Sequence, residues 1–287
     1  MEINGGETMS VIFVDSACDL NATQLKKLGL GLVAFNTKLD GKQVGKSDEK
    51  YINACKNYDK LQLDITKDDF IKAFKPYLDN GENIMYVCTN QNTLNITTPF
   101  SDAVKTLNEL YPTKEIKIYN LESTSTIAGV IVYEVGLMYK RGCTDLEIAN
   151  FMDEFKTMAR GYIVTNNNAF LNTCENKENF NLKALPSICT IVEYICGRCE
   201  IVDYVNGRKK ALTQIIGLME NNSINIADYT IQVGCALQES SANYFKEQLE
   251  KKFNNECTVF IQKLSLDNVM MYNGDTIVVG YHGKKKQ

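Results

Sequence analysis

What the 287-residue chain lacks narrows its chemistry first. It carries one histidine, His282, five residues from the end. A Ser-His-Asp or Cys-His centre would have to use that residue, and a chain terminus is a poor scaffold for a positioned base. No P-loop and no G-x-G-x-x-G follows any apolar segment, which excludes nucleotide sites of those types. No apolar run approaches the roughly 20 residues of a membrane span, and Met1 to Thr8 is too short and polar for a signal peptide. The formal charge of −4 leaves no net positive field to drive counterion release, against a nucleic-acid groove. These absences together predict a cytoplasmic protein.

What is present is apolar content. At 44% hydrophobic and 23% charged residues, the chain can bury one large core or two modest ones, and its length favours two domains. The ten cysteines, without a secretory signal, read as reduced thiols packed as small apolar groups. Cys196 and Cys199 form the one C-x-x-C. Gly197 and Arg198 between them look like the tip of a hairpin, with no second pair or histidine nearby, whereas a structural zinc needs four ligands. No metal and no cofactor is expected.

The first apolar segment, VIFVDSACDL, reads as a buried strand ending in Asp15 and Ser16, with Asp19 leading into an amphipathic helix. Open α/β sheets place ligands at the carboxyl ends of their strands, so Asp15 and Ser16 are candidate site residues. From Val11 to about Glu154 strands alternate with helices at Asp68–Asn80, Phe100–Leu110, Thr126–Arg141 and Asp145–Arg160, a parallel-sheet order. From Gly161 the strands come in closer pairs, interrupted by ALTQIIGLMEN and SANYFKEQLEKKF, which predicts a mixed sheet with those helices on one face. The expected architecture is α/β in two domains, residues 9–160 with a parallel α/β/α sheet and 161–287 with a mixed sheet, and a ligand cleft between them.

Motifs along the chain resemble the DegV family of bacterial fatty-acid-binding proteins. VDSACDL (Val14–Leu20) is similar to the family's T-D-S-T-A-D-L, DGK at Asp40–Lys42 to its D-G-K turn, IYNLESTSTIAG to V-I-D-S-x-S-x-S-x-G, and VNGRKKAL to V-R-G-R-K-K-A-L. The resemblance implies a long-chain fatty acid buried between two domains, its carboxylate held at the cleft and presented to a partner fatty acid kinase, with no reaction on the carrier itself. It also implies a dry tunnel with a few donors at its mouth, since an ionised carboxylate cannot be buried cheaply without them.

The anchoring motifs are where this chain departs. The family's T-S-Q-P-S-x-x-D-F is represented by QLDITKDDF, which puts Gln62 in place of the first threonine. Its S-S-x-L-S-G-T loop is represented by Asn90, Gln91, Asn92, Thr93, Leu94, Asn95, Ile96 and Thr97, amides replacing serines. An amide can donate to a carboxylate as a hydroxyl does. Matching TIVVGY to the family's last strand puts Met271, or Tyr272 with a one-residue slip, where the family has a histidine, and leaves His282 as a surface residue. The D-T-L-x-x-L-x-x-G-G-R-I segment becomes NNNAFLNTCENKENF, without its glycines. Arg208, Lys209 and Lys210 are retained; they are a solvated patch, or a surface for an acidic partner or a phosphate near the cleft. The implied ligand set is Gln62, Asn90, Gln91, Asn92, Thr93, Met271 and Tyr272 with Asp15 and Ser16. A rival reading is an interaction or regulatory protein that has lost the ligand, its cleft plugged by Met271 or Phe180. A third is an enzyme built on Asp15, Ser16 and Cys88 without a usable base.

Overall fold

The strand β1 (Val11–Asp15) is apolar from Val11 to Val14, up to the Asp15 at its carboxyl end, because it lies inside a sheet covered on both faces. The computed structural model describes residues 9–45, 47–179 and 188–285. After β1, a short turn leads to α1 (Ala22–Leu28), whose start is fixed by a capping box between Asn21 and Gln24 and whose end is a left-handed Gly29 at φ 74°. Then come β2 (Gly31–Val33), β3 (Asn36–Leu39), β4 (Lys42–Gln43), α2 (Asp48–Lys56) and β5 (Leu61–Asp64). The β3–β4 hairpin is the DGK turn, with Asp40 and Gly41 both at positive φ. It forms a small antiparallel sheet of order β4-β3-β5.

The first half closes with α3 (Lys67–Asp79), β6 (Ile84–Cys88), α4 (Thr97–Leu110), β7 (Ile116–Asn120), α5 (Ser125–Lys140) and α6 (Asp145–Phe155). The parallel sheet has the order β2-β1-β6-β7. On one face, α3 buries Phe70, Phe74 and Leu78, spaced four residues apart, against Tyr86 of β6 and Phe100 of α4. Edge-to-face rings of this kind add about 1 kcal/mol per pair beyond the area they bury. The predicted helix from Asp145 to Arg160 stops at Phe155 instead, because Ala159 and Arg160 already pair with the last strand of the protein.

The second half contains β8 (Ala159–Thr165), α7 (Asn168–Leu171), β9 (Ile188–Ile195), β10 (Arg198–Asn206), α8 (Arg208–Asn222), β11 (Thr230–Cys235), α9 (Glu239–Lys252), β12 (Thr258–Lys263), α10 (Leu266–Tyr272) and β13 (Ile277–His282). Its mixed sheet has the order β10-β9-β8-β13-β11-β12, with only β11–β12 parallel. Helices α8 and α9 cover one face. Helix α5 covers the other, against β8, β11 and β13, while also packing on α1 and α6. That dual contact explains why residues Ile127–Val132 of α5 are buried all the way round. A Cβ on Gly280 of β13 would lie 2.4 Å from the Thr126 carbonyl oxygen, so glycine is what lets α5 approach the second sheet so closely.

His282 is not the surface residue expected. As the last residue of a central strand it is buried, with its ring 4.9 Å from Phe155 and 4.2 Å from Tyr229 and Nδ1 3.2 Å from the Ile224 carbonyl. Burial holds its pKa below the usual imidazole range. Met1–Thr8 and Phe180 lie outside the described residues.

Candidate functional site

Asp15, at the carboxyl end of β1, is fully buried. Its carboxylate accepts from the Thr89 amide at 2.9 Å, the Thr89 hydroxyl at 3.0 Å, the Ala17 amide at 3.1 Å and the Tyr86 phenol at 3.2 Å. Burial pushes its pKa up while those donors pull it back. With its acceptor sites occupied, Asp15 ties β1 to the end of β6 and does not line the cavity between the two sheets. Ser16, the next residue, donates instead to Asp267 at 2.8 Å.

Asp267 and Asp19 hold α10 to this turn. Asp19 accepts from the Ser265 amide at 2.6 Å, Asn268 Nδ2 at 2.8 Å and the Ser125 hydroxyl at 2.5 Å. Asn268 Nδ2 also donates to the Ala17 carbonyl at 2.9 Å. Among the described residues no cation pairs with either carboxylate, and burial raises Asp19 to about 7 and Asp267 to about 6. Through these contacts the opening turn fixes the N-terminus of α10, and the other end of α10 supplies a cavity wall.

That cavity, of about 710 Å³, lies where the two sheets meet. Asn90 and Thr93 line it from the loop after β6, Met270, Met271 and Tyr272 from α10, Phe170 from α7, and Arg198 from the β9–β10 hairpin. Asn90 Oδ1 accepts from the Thr93 amide at 3.1 Å, which gives this loop its shape. Tyr272 is buried, its phenol 2.6 Å from the Thr124 hydroxyl and its ring edge-on to Phe170 at 4.8 Å. Asn167, also on the lining, donates to the Met271 carbonyl at 2.9 Å. The wall is thus mostly apolar, with neutral polar groups and the charged Asp59, Glu175 and Arg198, and the cavity is in the size range of small-molecule sites, roughly 300–1,000 Å³.

The structure brings Asn90, Thr93, Met271 and Tyr272 together on this cavity. Gln91 turns away, its amide donating to the Thr97 hydroxyl at 3.1 Å. Gln62 is exposed on β5 opposite Lys38, and Asn92 is exposed; neither lines the cavity. Ser16 lines a separate cavity of about 610 Å³ with Asp267, Thr37 and Asp69. Arg208 opens α8 and donates to the Asp275 carbonyl at 3.1 Å, while the Lys209 ammonium lies 5.3 Å from the centre of the Tyr244 ring. Sequence reading missed Thr124, Asn167, Phe170 and Arg198. The ESTS run and the CGRC hairpin were the signals available for two of them.

The C-x-x-C is the hairpin expected, with Cys196 and Gly197 at positive φ and Ile195 paired to Arg198. All ten cysteines are unpaired. Burial raises the thiols of Cys88 and Cys199, the latter to about 12. Among the described residues no group of three or more His, Cys, Asp or Glu side chains is placed to hold a metal ion, and no helix is long and apolar enough to cross a membrane.

A parallel α/β sheet joined through one shared helix to a mixed sheet, with a cavity at their junction, defines the class as a two-domain α/β protein. The model of the DegV family, described as an uncharacterised protein family, matches residues 9–280, and the chain belongs to that family. It is 23% identical over 254 residues to a DegV domain-containing protein of Clostridium perfringens, covering 85% of this chain and 87% of the relative. Its fold is similar to that of a stearic acid-binding protein from Eubacterium ventriosum, at 15% identity and a TM-score of 0.81 over 96% of this chain and 99% of that one. It is also similar to the Fatty Acid Kinase (Fak) B3 protein of Streptococcus pneumoniae loaded with linoleic acid, at 14% identity and a TM-score of 0.76 over 96% of this chain and 100% of that one.

Proposed function

We propose that this protein is a fatty-acid carrier, holding one long-chain fatty acid in the cavity between its two sheets and presenting the head group to a fatty acid kinase. The observation that carries this reading is the cavity itself: an apolar wall of Phe170, Met270, Met271 and Tyr272 together with the polar Asn90 and Thr93. An acyl chain suits the first and a hydrogen-bonding head group the second. Membership of the DegV family and the fatty acids named with its structural neighbours support the same ligand class. The ligand set becomes Asn90, Thr93, Met271 and Tyr272, with Thr124 and Asn167 added. Asp15 and Ser16 become scaffold and Gln62, Gln91 and Asn92 peripheral. Arg208 and Lys209, beside each other at the start of α8, are the surface offered to the kinase.

The chain carries no reaction of its own in this account: the Asp15 carboxylate is saturated by donors and the Cys88 thiol is held protonated by burial. We place the division between its domains just before β8 rather than at 160/161, since Ala159 and Arg160 already belong to the second sheet, and ten unpaired thiols fit a reducing cytoplasm. The acyl chain stays with the purified protein, so lipid extraction and mass spectrometry test the reading. Incubation with the kinase and ATP tests delivery, through release of acyl phosphate. One observation favours the rival interaction protein without ligand: Tyr272 is fully buried and packed on Phe170, narrowing the cavity floor.

A further inference from the structure

A fatty-acid head group is ionised near neutral pH, and an anion at a partly dry mouth needs charge as well as donors. Among the described residues lining the cavity, the charged ones are Asp59, Glu175 and Arg198. Two are acids, which repel a carboxylate. Arg198 is the single cation.

Its position is set by the backbone. The hairpin turns through Cys196 at φ 50° and Gly197 at φ 76°, and the Tyr194 phenol below the tip donates to the Glu122 carbonyl at 3.0 Å, fastening this second-sheet hairpin to the loop before α5. On its other side the Glu175 amide donates to the Cys199 carbonyl at 2.9 Å. Arg198 therefore stands on a braced tip at the cavity that Asn90 and Thr93 line from the first sheet. Its one ion pair among the described residues is loose: Nε lies 3.7 Å from Glu175 Oε1, beyond hydrogen-bond range, and both side chains are more than half exposed. A guanidinium presents five N–H donors in a fork matched to a carboxylate, and Glu175 leaves most of that fork for another anion.

We propose that Arg198 is the counter-ion of the ligand's carboxylate, closing on it across the cavity mouth from Asn90 and Thr93, with Glu175 as the competing anion that keeps the guanidinium poised when no ligand is bound. This deepens the fatty-acid reading above and rests on it. The hairpin tip then selects acids over uncharged lipids of the same length.

The test compares binding of oleate and of oleyl alcohol, identical in chain and different in charge, to the full-length protein freed of lipid, its Arg198→Gln, Arg198→Lys and Glu175→Gln variants. Losing a charge-assisted bond predicts a roughly tenfold or greater weakening of oleate by Arg198→Gln, with oleyl alcohol unchanged within about twofold. Arg198→Lys retains part of the oleate affinity, and Glu175→Gln tightens oleate. Added salt weakens oleate more than the alcohol. Equal weakening of both ligands, or none of either, overturns the counter-ion assignment while leaving the carrier reading intact. A wild-type protein that binds neither lipid overturns the carrier reading and the assignment with it. Arg198 is exposed, so an unchanged thermal midpoint in each variant separates these outcomes from misfolding.

Discussion

The Tyr272 phenol and the Thr124 hydroxyl meet at 2.6 Å, joining the last residue of α10 to the residue that caps α5. The contact spans 148 positions of sequence and closes the cavity where the two halves of the molecule converge. Thr124 spends its hydroxyl there and makes no side-chain bond to its own helix. Tyr272→Phe therefore leaves a buried hydroxyl without its partner, and a loss of about 1–2 kcal/mol is expected. Urea unfolding of the two proteins measures it directly.

Asp15→Asn tests the scaffold role of the opening turn. The amide keeps the shape of the side chain but turns one acceptor oxygen into a donor, opposite donors from Thr89, Ala17 and Tyr86. At least one buried donor then goes unmet, and about 3 kcal/mol of stability is lost. Oleate affinity of the folded variant stays within about twofold of wild type, since a change below about 0.4 kcal/mol is expected from a residue that does not line the cavity. A selective loss of binding without loss of stability would return Asp15 to the site.

Gly280→Ala tests the approach of α5 to the second sheet. The added Cβ would lie 2.4 Å from the Thr126 carbonyl oxygen and 2.6 Å from the Ile127 Cα. Both obstacles are backbone, so the strand or the helix must move, at a cost of about 3 kcal/mol. Gly142→Ala makes the comparison, because a Cβ there meets nothing within 4 Å and only its φ of 80° is unfavourable. A Gly280→Ala protein as stable as wild type would mean that α5 sits farther from β13.

Stability also carries a pH signature. Burial raises Asp19 to about 7 and Asp267 to about 6 from 3.8 in each case. Between about pH 4 and 7 the folded state consequently binds more protons at these sites than the unfolded chain does. Their contribution falls as pH rises through that window and is smallest above pH 7. Asp19→Asn, which cannot ionise, flattens the decline. Denaturant unfolding of both proteins across pH 4 to 8 reads the difference, and parallel curves would contradict the assignment.

The fold was legible where local pattern and buried environment agree. The apolar run VIFV before Asp15 could only be an interior strand, DGK had the left-handed turn its residues favour, and CGRC closed a hairpin for the same reason. The site was only half legible. Asn90 and Thr93 sit on a loop that a strand end positions, so their place followed from the sheet. Gln62 did not follow, because a residue on a strand alternates faces and one register step decides whether it meets the cavity or solvent. The burial of His282 depends on β13 being inserted between β8 and β11, a pairing no local pattern encodes. Helix α10 is seven residues long, too short for periodicity to announce, and its fastening to Asp19 crosses about 250 residues of chain. Arg198 was readable as a turn residue, but not as the cation over the cavity.

The most direct measurement is the lipid content of the protein as purified from cells without added fatty acid. Organic extraction followed by mass spectrometry, against protein concentration, is expected to return about one long-chain fatty acid per chain in the occupied fraction, as a single-site cavity requires. Emptied protein should take up oleate to the same limit. Protein that is consistently empty and takes up no added fatty acid would contradict the carrier and leave the rival, a DegV scaffold serving an interaction without a lipid.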